Sequence, residues 1–547
     1  MKKRCLRITA IILSVLILMS ITACAGGGSN NNIIDADAEL NIGFSWMPVT
    51  MDAQMAFDTG SINYLNPMVG LLFRLDSDGK LYNELAEGYE VSDDGLTYTI
   101  KLRDDIKYSN GDPITAQDFV YSLQRIADPL EGSSAIYVFE NICELKNIVA
   151  VNEGKLPLTE LGVTTIDDRT LVIELEKPCP YFINTLTMVC TAPCSRAFIE
   201  KCDDLYATEA KYLLGSGPFY VDDYEPFDTQ VHYSPNPYYF DPDSVKIPGI
   251  SVRYVQSQQQ AMMCYESGIL DVISLSGSIQ ELAEGDKCVG EKTSGAITYL
   301  GTVPSHNSAL QNKNIRLALV NSINRESIVK NITKKGTSVL ERFVPEDFCV
   351  DSKGNDYVRD ANEYKEVCSY NPEKAREYWD QGLKEINAQS LKLSLVCRQS
   401  DENMIELIKD DWEKNLPGLS IEARIVPAKQ YYGSLQNRDM DIYVYGWGAD
   451  YPDPNAFLEL FTQYSDMNYA DFANDDYDQL ISASQTEKDQ DTRLEMFHEA
   501  ESILISEGRY IPLYAAGGAW LISDKVENVG FDFTGANLNA SRAKKNK

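Results

Sequence analysis

Apolar and polar residues alternate in Glu39-Leu40-Asn41-Ile42-Gly43-Phe44, in Leu96-Thr97-Tyr98-Thr99-Ile100-Lys101-Leu102 and in Thr170-Leu171-Val172-Ile173-Glu174-Leu175. A period of two predicts strands that bury one face. Turn signals at Asp76-Ser77-Asp78-Gly79, Asp93-Asp94-Gly95 and Ser109-Asn110-Gly111-Asp112-Pro113 separate such runs, so they predict the hairpins of a small antiparallel sheet. The first turn superficially suggests a calcium loop, but Arg74 stands where an EF-hand needs an acidic residue; a hairpin turn is the better reading.

Helical spacing follows other rules. Ile62, Leu65, Val69 and Phe73 recur at helical intervals and predict a helix over Ser61 to Phe73. Thr115 with Asp118 three residues on resembles a capping box that opens another. Ile315 to Ile332 has helical spacing, as does Asn371 to Lys384, opened by Pro372. Two strand-helix-strand units stand out. The first joins Ser251 to Val255, Gln258 to Glu266 and Gly268 to Ile273; the second joins Leu391 to Val396, Glu402 to Leu416 and Leu419 to Val426. The second leads through a helix at Tyr431 into the strand Ile442 to Tyr445. Each half of the chain thus holds an α/β lobe, and open α/β sheets bind ligands at their strand ends.

That last strand runs into Tyr445-Gly446-Trp447-Gly448-Ala449-Asp450-Tyr451-Pro452-Asp453-Pro454. Glycines let another backbone approach, prolines fix the exit path, and a carboxylate beside a Trp face can hold a cation. By itself the stretch reads rather as a strand-to-loop junction around one core Trp. Gly215-Ser216-Gly217-Pro218 lacks the Lys-Ser/Thr pair of a phosphate loop and is structural punctuation.

Composition narrows the function. The chain has 547 residues, long enough for two or three domains, and 49 Lys+Arg against 82 Asp+Glu give a net charge of -33. Such a surface repels phosphate backbones and argues against nucleic acid as partner. At the N-terminus, Lys2, Lys3, Arg4 and Arg7 precede the apolar run Ile8 to Ile21, the make-up of a signal peptide over residues 1–23. Its ending, Ile21-Thr22-Ala23-Cys24, resembles the bacterial lipobox, which implies cleavage before Cys24 and a lipid on its sulfur. Residues 24–36, rich in Gly, Ser and Asn, form a flexible tether. The expectation is a protein hung from the cell membrane on its extracytoplasmic face.

Of twelve Cys, ten lie beyond Cys24 with no C-x2-C pair; disulfides and buried free thiols both remain open. Three His, none in an array, argue against metal. No G-x-S-x-G, HExxH or S-x-x-K with partner motifs points to a hydrolase, so neither catalytic residue nor cofactor is expected.

The blocks Leu85-Ala86-Glu87-Gly88-Tyr89, Gly111-Asp112-Pro113-Ile114-Thr115-Ala116-Gln117-Asp118-Phe119, Gly215-Ser216-Gly217-Pro218-Phe219, Ser267-Gly268-Ile269-Leu270-Asp271 and Trp447-Gly448-Ala449-Asp450-Tyr451-Pro452 resemble, in order, the bacterial extracellular solute-binding proteins of the peptide/nickel type. The resemblance is strongest to the oligopeptide-binding lipoproteins of ABC importers. It implies a periplasmic-binding-protein-like α/β fold with two lobes, hinge strands and an extra α+β domain. Lobe I takes in 37–69, 197–297 and 510–547, the extra domain 70–196, and lobe III 298–509. The ligand lies in the inter-lobe cleft.

It implies further that Asp450 takes a peptide's α-ammonium, that Gly446, Trp447 and Gly448 flank it, and that the segment at Phe57, Asp58 and Thr59 pairs with the peptide backbone. The implied partners are an oligopeptide, permease subunits and, through Cys24, the bilayer; the implied state is a monomer. The pattern departs from its close relatives at Val444, where they carry Arg, at Ala428, where they carry Trp, and at Tyr514-Ala515-Ala516-Gly517-Gly518. Those changes make room for larger side chains or signal another ligand. Trp447 reads equally as a lobe-packing residue. Relatives in the class bind nickel complexes, haem, oligosaccharides or peptide pheromones, which stand as alternatives.

Overall fold

The computed structural model describes residues 39–75, 80–275, 292–333, 337–358, 366–531 and 537–546. The leader, Cys24, the tether, the turn Asp76 to Gly79 and Cys288 lie outside the described residues.

Ten strands build the main sheet: β1 (Leu40–Phe44), β2 (Phe219–Asp223), β3 (Gln230–Pro235), β4 (Ile250–Tyr254), β5 (Val272–Leu275), β6 (Lys292–Thr302), β7 (Leu391–Arg398), β8 (Leu419–Val426), β9 (Ile442–Gly448) and β10 (Tyr510–Ile522). Their order is β8-β7-β9-β6-β10-β5-β1-β4-β3-β2, with Ser338–Val339 as an added short strand on β10. β7 and β8 are parallel neighbours joined by the helix Glu402–Asn415, as their pattern predicts.

The other unit differs from expectation. β4 and β5 are not neighbours, because β1 lies between them and runs parallel to both. All five residues of β1 are buried, and a strand buried on both faces takes the interior of a parallel sheet. β5 also begins later than the pattern suggests, since Gly268 has φ +75 and belongs to a turn.

Two predicted helices are interrupted. The first spans Thr59–Leu65 and stops before Pro67, which has no N–H to continue it; Phe73 belongs instead to a strand, Phe73–Leu75, paired with Leu81–Asn83. The second ends at Asn321, and Asn324 caps a new turn, Arg325–Ile328, by accepting from the Ser327 N–H at 3.0 Å.

The smaller sheet pairs Ala86–Val91, Thr97–Leu102, Thr170–Glu174 and Val163–Asp167, all antiparallel. The helix Ala116–Ala127 covers it, opened by Thr115, whose N–H and hydroxyl donate to the Asp118 carboxylate at 2.7 and 2.9 Å. Nine cysteines among the described residues are free thiols. No helix among them is long and apolar enough to cross a membrane.

Two large cores result. One gathers β1, β2, β3 and β4 with Trp520 and Ile522; the other joins the small sheet to β6, β7, β9 and the first part of β10. Strand β10 belongs to both, pairing with β6 through its first part and with β5 through its last four residues. It therefore spans the two α/β lobes as a hinge strand.

Candidate ligand-binding site

The segment that enters the cleft from the first lobe is pinned from behind. Arg125, on the helix over the small sheet, donates from Nη2 to Asp52 Oδ2 at 2.8 Å. Buried Gln54 donates to the Ala192 carbonyl at 2.9 Å and its own carbonyl accepts from the Ser133 hydroxyl at 2.6 Å. Ala56 and Asp58 are extended, and Phe57 between them is exposed. The extension ends at Thr59, the first residue of a helix. Asp58 caps that helix, its Oδ1 accepting from the Ser61 N–H at 2.8 Å, so its carboxylate is engaged locally.

From the other lobe comes β9. Ala449 N–H donates to the Gly295 carbonyl at 2.6 Å and Val303 N–H to the Asp441 carbonyl at 2.8 Å, so odd-numbered positions bond toward β6. In an antiparallel ladder the even-numbered groups then point the other way. On that edge β7 pairs with β9 opposite Ile442 and Tyr443 alone, among the described residues. Val444 offers its carbonyl to the Tyr431 hydroxyl. Gly446 and Gly448 are exposed, and a Cβ added at Gly448 would meet nothing within 4 Å. Their backbone groups thus line an open sheet edge with no side chain in the way.

Asp450 stands just past the end of this edge. Its Oδ2 accepts from the Tyr137 hydroxyl at 3.3 Å, and no cation pairs with it among the described residues. Burial pushes its carboxyl up to about 6, and the hydrogen bond from Tyr137 opposes the rise. The Tyr137 ring also meets Phe57 edge-on, with centroids 6.4 Å apart. Phe57, Thr59, Gly448 and Asp450 line one cavity of about 320 Å³, together with Asn66 and Met188.

Three expected residues are placed otherwise. Trp447 is absent from the cavity wall, packs on the core and donates its indole N–H to the Ala456 carbonyl at 2.9 Å. Gly446 and Asp58 lie beside the cavity but are not in its wall. Tyr137 was not legible in the sequence: it is 313 positions from Asp450 and sits in no motif.

Asp453 has a separate task, since Arg493 holds it in a buried two-pronged ion pair.

A two-lobed α/β sheet with hinge strands and a cleft that offers a strand edge beside a carboxylate with no cation among the described residues defines a binding protein of the periplasmic type. Residues 80–469 match the model of the bacterial extracellular solute-binding proteins, family 5 middle, and the chain belongs to that family. It is 30% identical over 545 residues to the dipeptide-binding protein of Lactococcus lactis, covering 96% of each chain. Among solved structures, Listeria monocytogenes OppA bound to peptide is 30% identical with TM-score 0.66, covering 93% of this chain and 99% of that one. The unliganded open form of the murein tripeptide binding protein MppA shares the fold at TM-score 0.83 and 22% identity, covering 93% and 97%.

Proposed function

We propose that this chain is the extracytoplasmic peptide-binding subunit of an ABC importer, anchored as a monomer through a lipid on Cys24, and that it delivers captured peptides to a permease without chemical turnover. The observation that carries this reading is the pairing of Asp450, a desolvated carboxylate with no cation beside it among the described residues, with the open edge at Gly446 and Gly448. Backbone pairing to an extended peptide is blind to sequence, and the anchored ammonium sets its register. A charge in such a place costs free energy unless an opposite charge meets it, which selects ligands with a free amine. The segment at Phe57 faces the same cavity and supplies a second backbone edge. The peptide-bound relative at 30% identity supports the ligand class.

In this reading lobe I comprises 37–69, 197–297 and 510–547, the extra domain 70–196 and lobe III 298–509, with closure driven by the ligand's higher affinity for the closed state. The test is calorimetry with one tripeptide in two forms, free and N-acetylated. The free form binds and the acetylated form does not; equal binding of both would remove Asp450 from the role of anchor.

A further inference from the structure

Strand β2 carries an extra residue. Its register against β3 pairs Tyr220 with Ser234, Val221 with Tyr233 and then Asp223 with His232, so Asp222 has no partner of its own in the ladder. Such a bulge re-aims a side chain. The Asp222 carboxylate accepts from the Ser234 hydroxyl at 2.5 Å through Oδ2 and meets His232 Nδ1 at 2.5 Å through Oδ1. Glu39, the residue before β1, reaches the same ring from the other side. β4 lies between β1 and β3, and Glu39 passes over its start at Gly249, where an added Cβ would stand 3.2 Å from both Glu39 Oε1 and His232 Nε2. The missing side chain lets those two atoms approach to 3.3 Å. None of these residues is in the wall of the ligand cavity.

Both nitrogens of one imidazole thus face carboxylate oxygens. An ionised carboxylate only accepts, and a neutral imidazole has a single N–H to give. The geometry is that of an imidazolium, which donates from both nitrogens. The surrounding charges agree with it. Neither acid pairs with a Lys or Arg among the described residues; Lys545 reaches the Glu39 carbonyl at 2.7 Å but pairs with Asp271. On β2 the residue opposite His232 is a further acid, Asp223. On β4 it is the neutral Ser251, with Arg253 two positions farther along. The hydrogen bond to Asp222 raises the His232 pKa above its ordinary value, burial opposes the rise, and the charges of Asp222 and Glu39 add to it. Burial alone would raise the Asp222 carboxyl, yet the hydrogen bonds from His232 and Ser234 hold it below its ordinary value.

We propose that His232 is a proton-dependent staple of the main sheet: as an imidazolium it ties the start of β1 and the bulge of β2 to β3, and it lets Glu39 go when the surroundings turn alkaline. When the ring loses a proton to solvent, the remaining N–H stays on Nδ1, toward Asp222, the shorter of the two contacts. Nε2 then presents a lone pair to the Glu39 carboxylate, and an attraction becomes a repulsion. The folded pKa lies above the ordinary 6.5, so the contribution to stability is fully present below 6.5 and is lost as pH rises through the folded value. The strand it holds, β1, is buried along its whole length between β4 and β5. The staple therefore acts on the interior of the sheet, and it stands independently of any role of Asp450.

The experiment is an NMR titration of the whole protein carrying carbon-13 histidine. The chain has three His, so the ring signals are few, and His232→Asn assigns the one that matters. Wild-type His232 is expected to titrate above 6.5; Glu39→Gln lowers its midpoint, and Asp222→Asn lowers it further. A His232 midpoint at or below 6.5, or one that Glu39→Gln leaves in place, overturns the proposal. Urea denaturation of the ligand-free protein gives the second readout. The midpoint of the wild type is expected to exceed that of Glu39→Gln at pH 6, and the two are expected to converge by pH 9. A difference of equal size at both pH values overturns the dependence on the proton. If His232→Asn or Asp222→Asn does not fold, Glu39→Gln decides alone, since the proposal requires it to shift one histidine signal and to lose its urea deficit at pH 9.

Discussion

Arg493 grips Asp453 with both terminal guanidinium nitrogens, Nη2 to Oδ1 at 2.8 Å and Nη1 to Oδ2, whereas Asp450, three residues earlier in the same loop, meets no cation among the described residues. Both partners of that pair are almost fully buried. On the proposed reading the loop contains one acid committed to the fold and one held for a ligand. Removing a single partner of a buried pair typically costs about 3–5 kcal/mol, because the remaining charge is stranded. Arg493→Ala is expected to lose stability of that order in chemical denaturation, and Asp450→Ala to lose almost none. Similar losses from both variants would contradict the division of tasks.

Ligand affinity should show the opposite ranking. Asp450→Ala is expected to lose about 2–5 kcal/mol of peptide affinity in calorimetry at pH 8, the range seen when one partner of a desolvated charge pair is truncated. Unchanged affinity would sink the assignment of the ammonium to Asp450.

The raised pKa of Asp450 has two consequences of opposite sign. On the proposed reading binding needs the carboxylate, so affinity is expected to fall as pH drops through about 6. Stability of the ligand-free protein behaves in reverse. The folded value lies above the ordinary aspartate value of 3.8, so this group's contribution is fully present below 3.8 and is lost as pH rises through about 6. Asp450→Asn is therefore expected to raise ligand-free stability at pH 8 by on the order of 1 kcal/mol, after allowance for solvent screening. Melting curves at pH 8 and pH 4 check this, and a gain that persists at pH 4 would speak against titration of Asp450 as its source.

The glycines of the main sheet separate in the same way. Above Gly448 there is open space, so Gly448→Val should change stability by less than about 0.5 kcal/mol. It should nevertheless weaken peptide binding at least about tenfold, because a branched side chain stands over the edge that the ligand backbone needs. At Gly301 an added Cβ runs into the Tyr443 ring, and Gly301→Ala should cost about 1–3 kcal/mol by overpacking. Denaturation and calorimetry on both variants test the contrast; full-strength binding by Gly448→Val would remove the edge from the site.

Local features of the fold were legible where local physics decides them. The alternation over Leu96 to Leu102, the cap at Thr115 with Asp118 and the helix opened by Asn371 and Pro372 appear where their patterns place them. The helix expected through Phe73 failed at a local signal that was present, Pro67, which spacing alone had outweighed.

The sequence by itself determined the strand and helix segments, the family blocks and the candidacy of Asp450, because periodicity, turn chemistry and motif order are written within a few residues of one another. Tertiary structure alone decided that β1 enters between β4 and β5, that Trp447 faces the core, and that Tyr137 reaches Asp450. It also decided that Arg493 pairs with Asp453 while, among the described residues, no cation pairs with Asp450. Strand order and the desolvation of a carboxylate depend on groups hundreds of residues apart, brought together only when the cores pack.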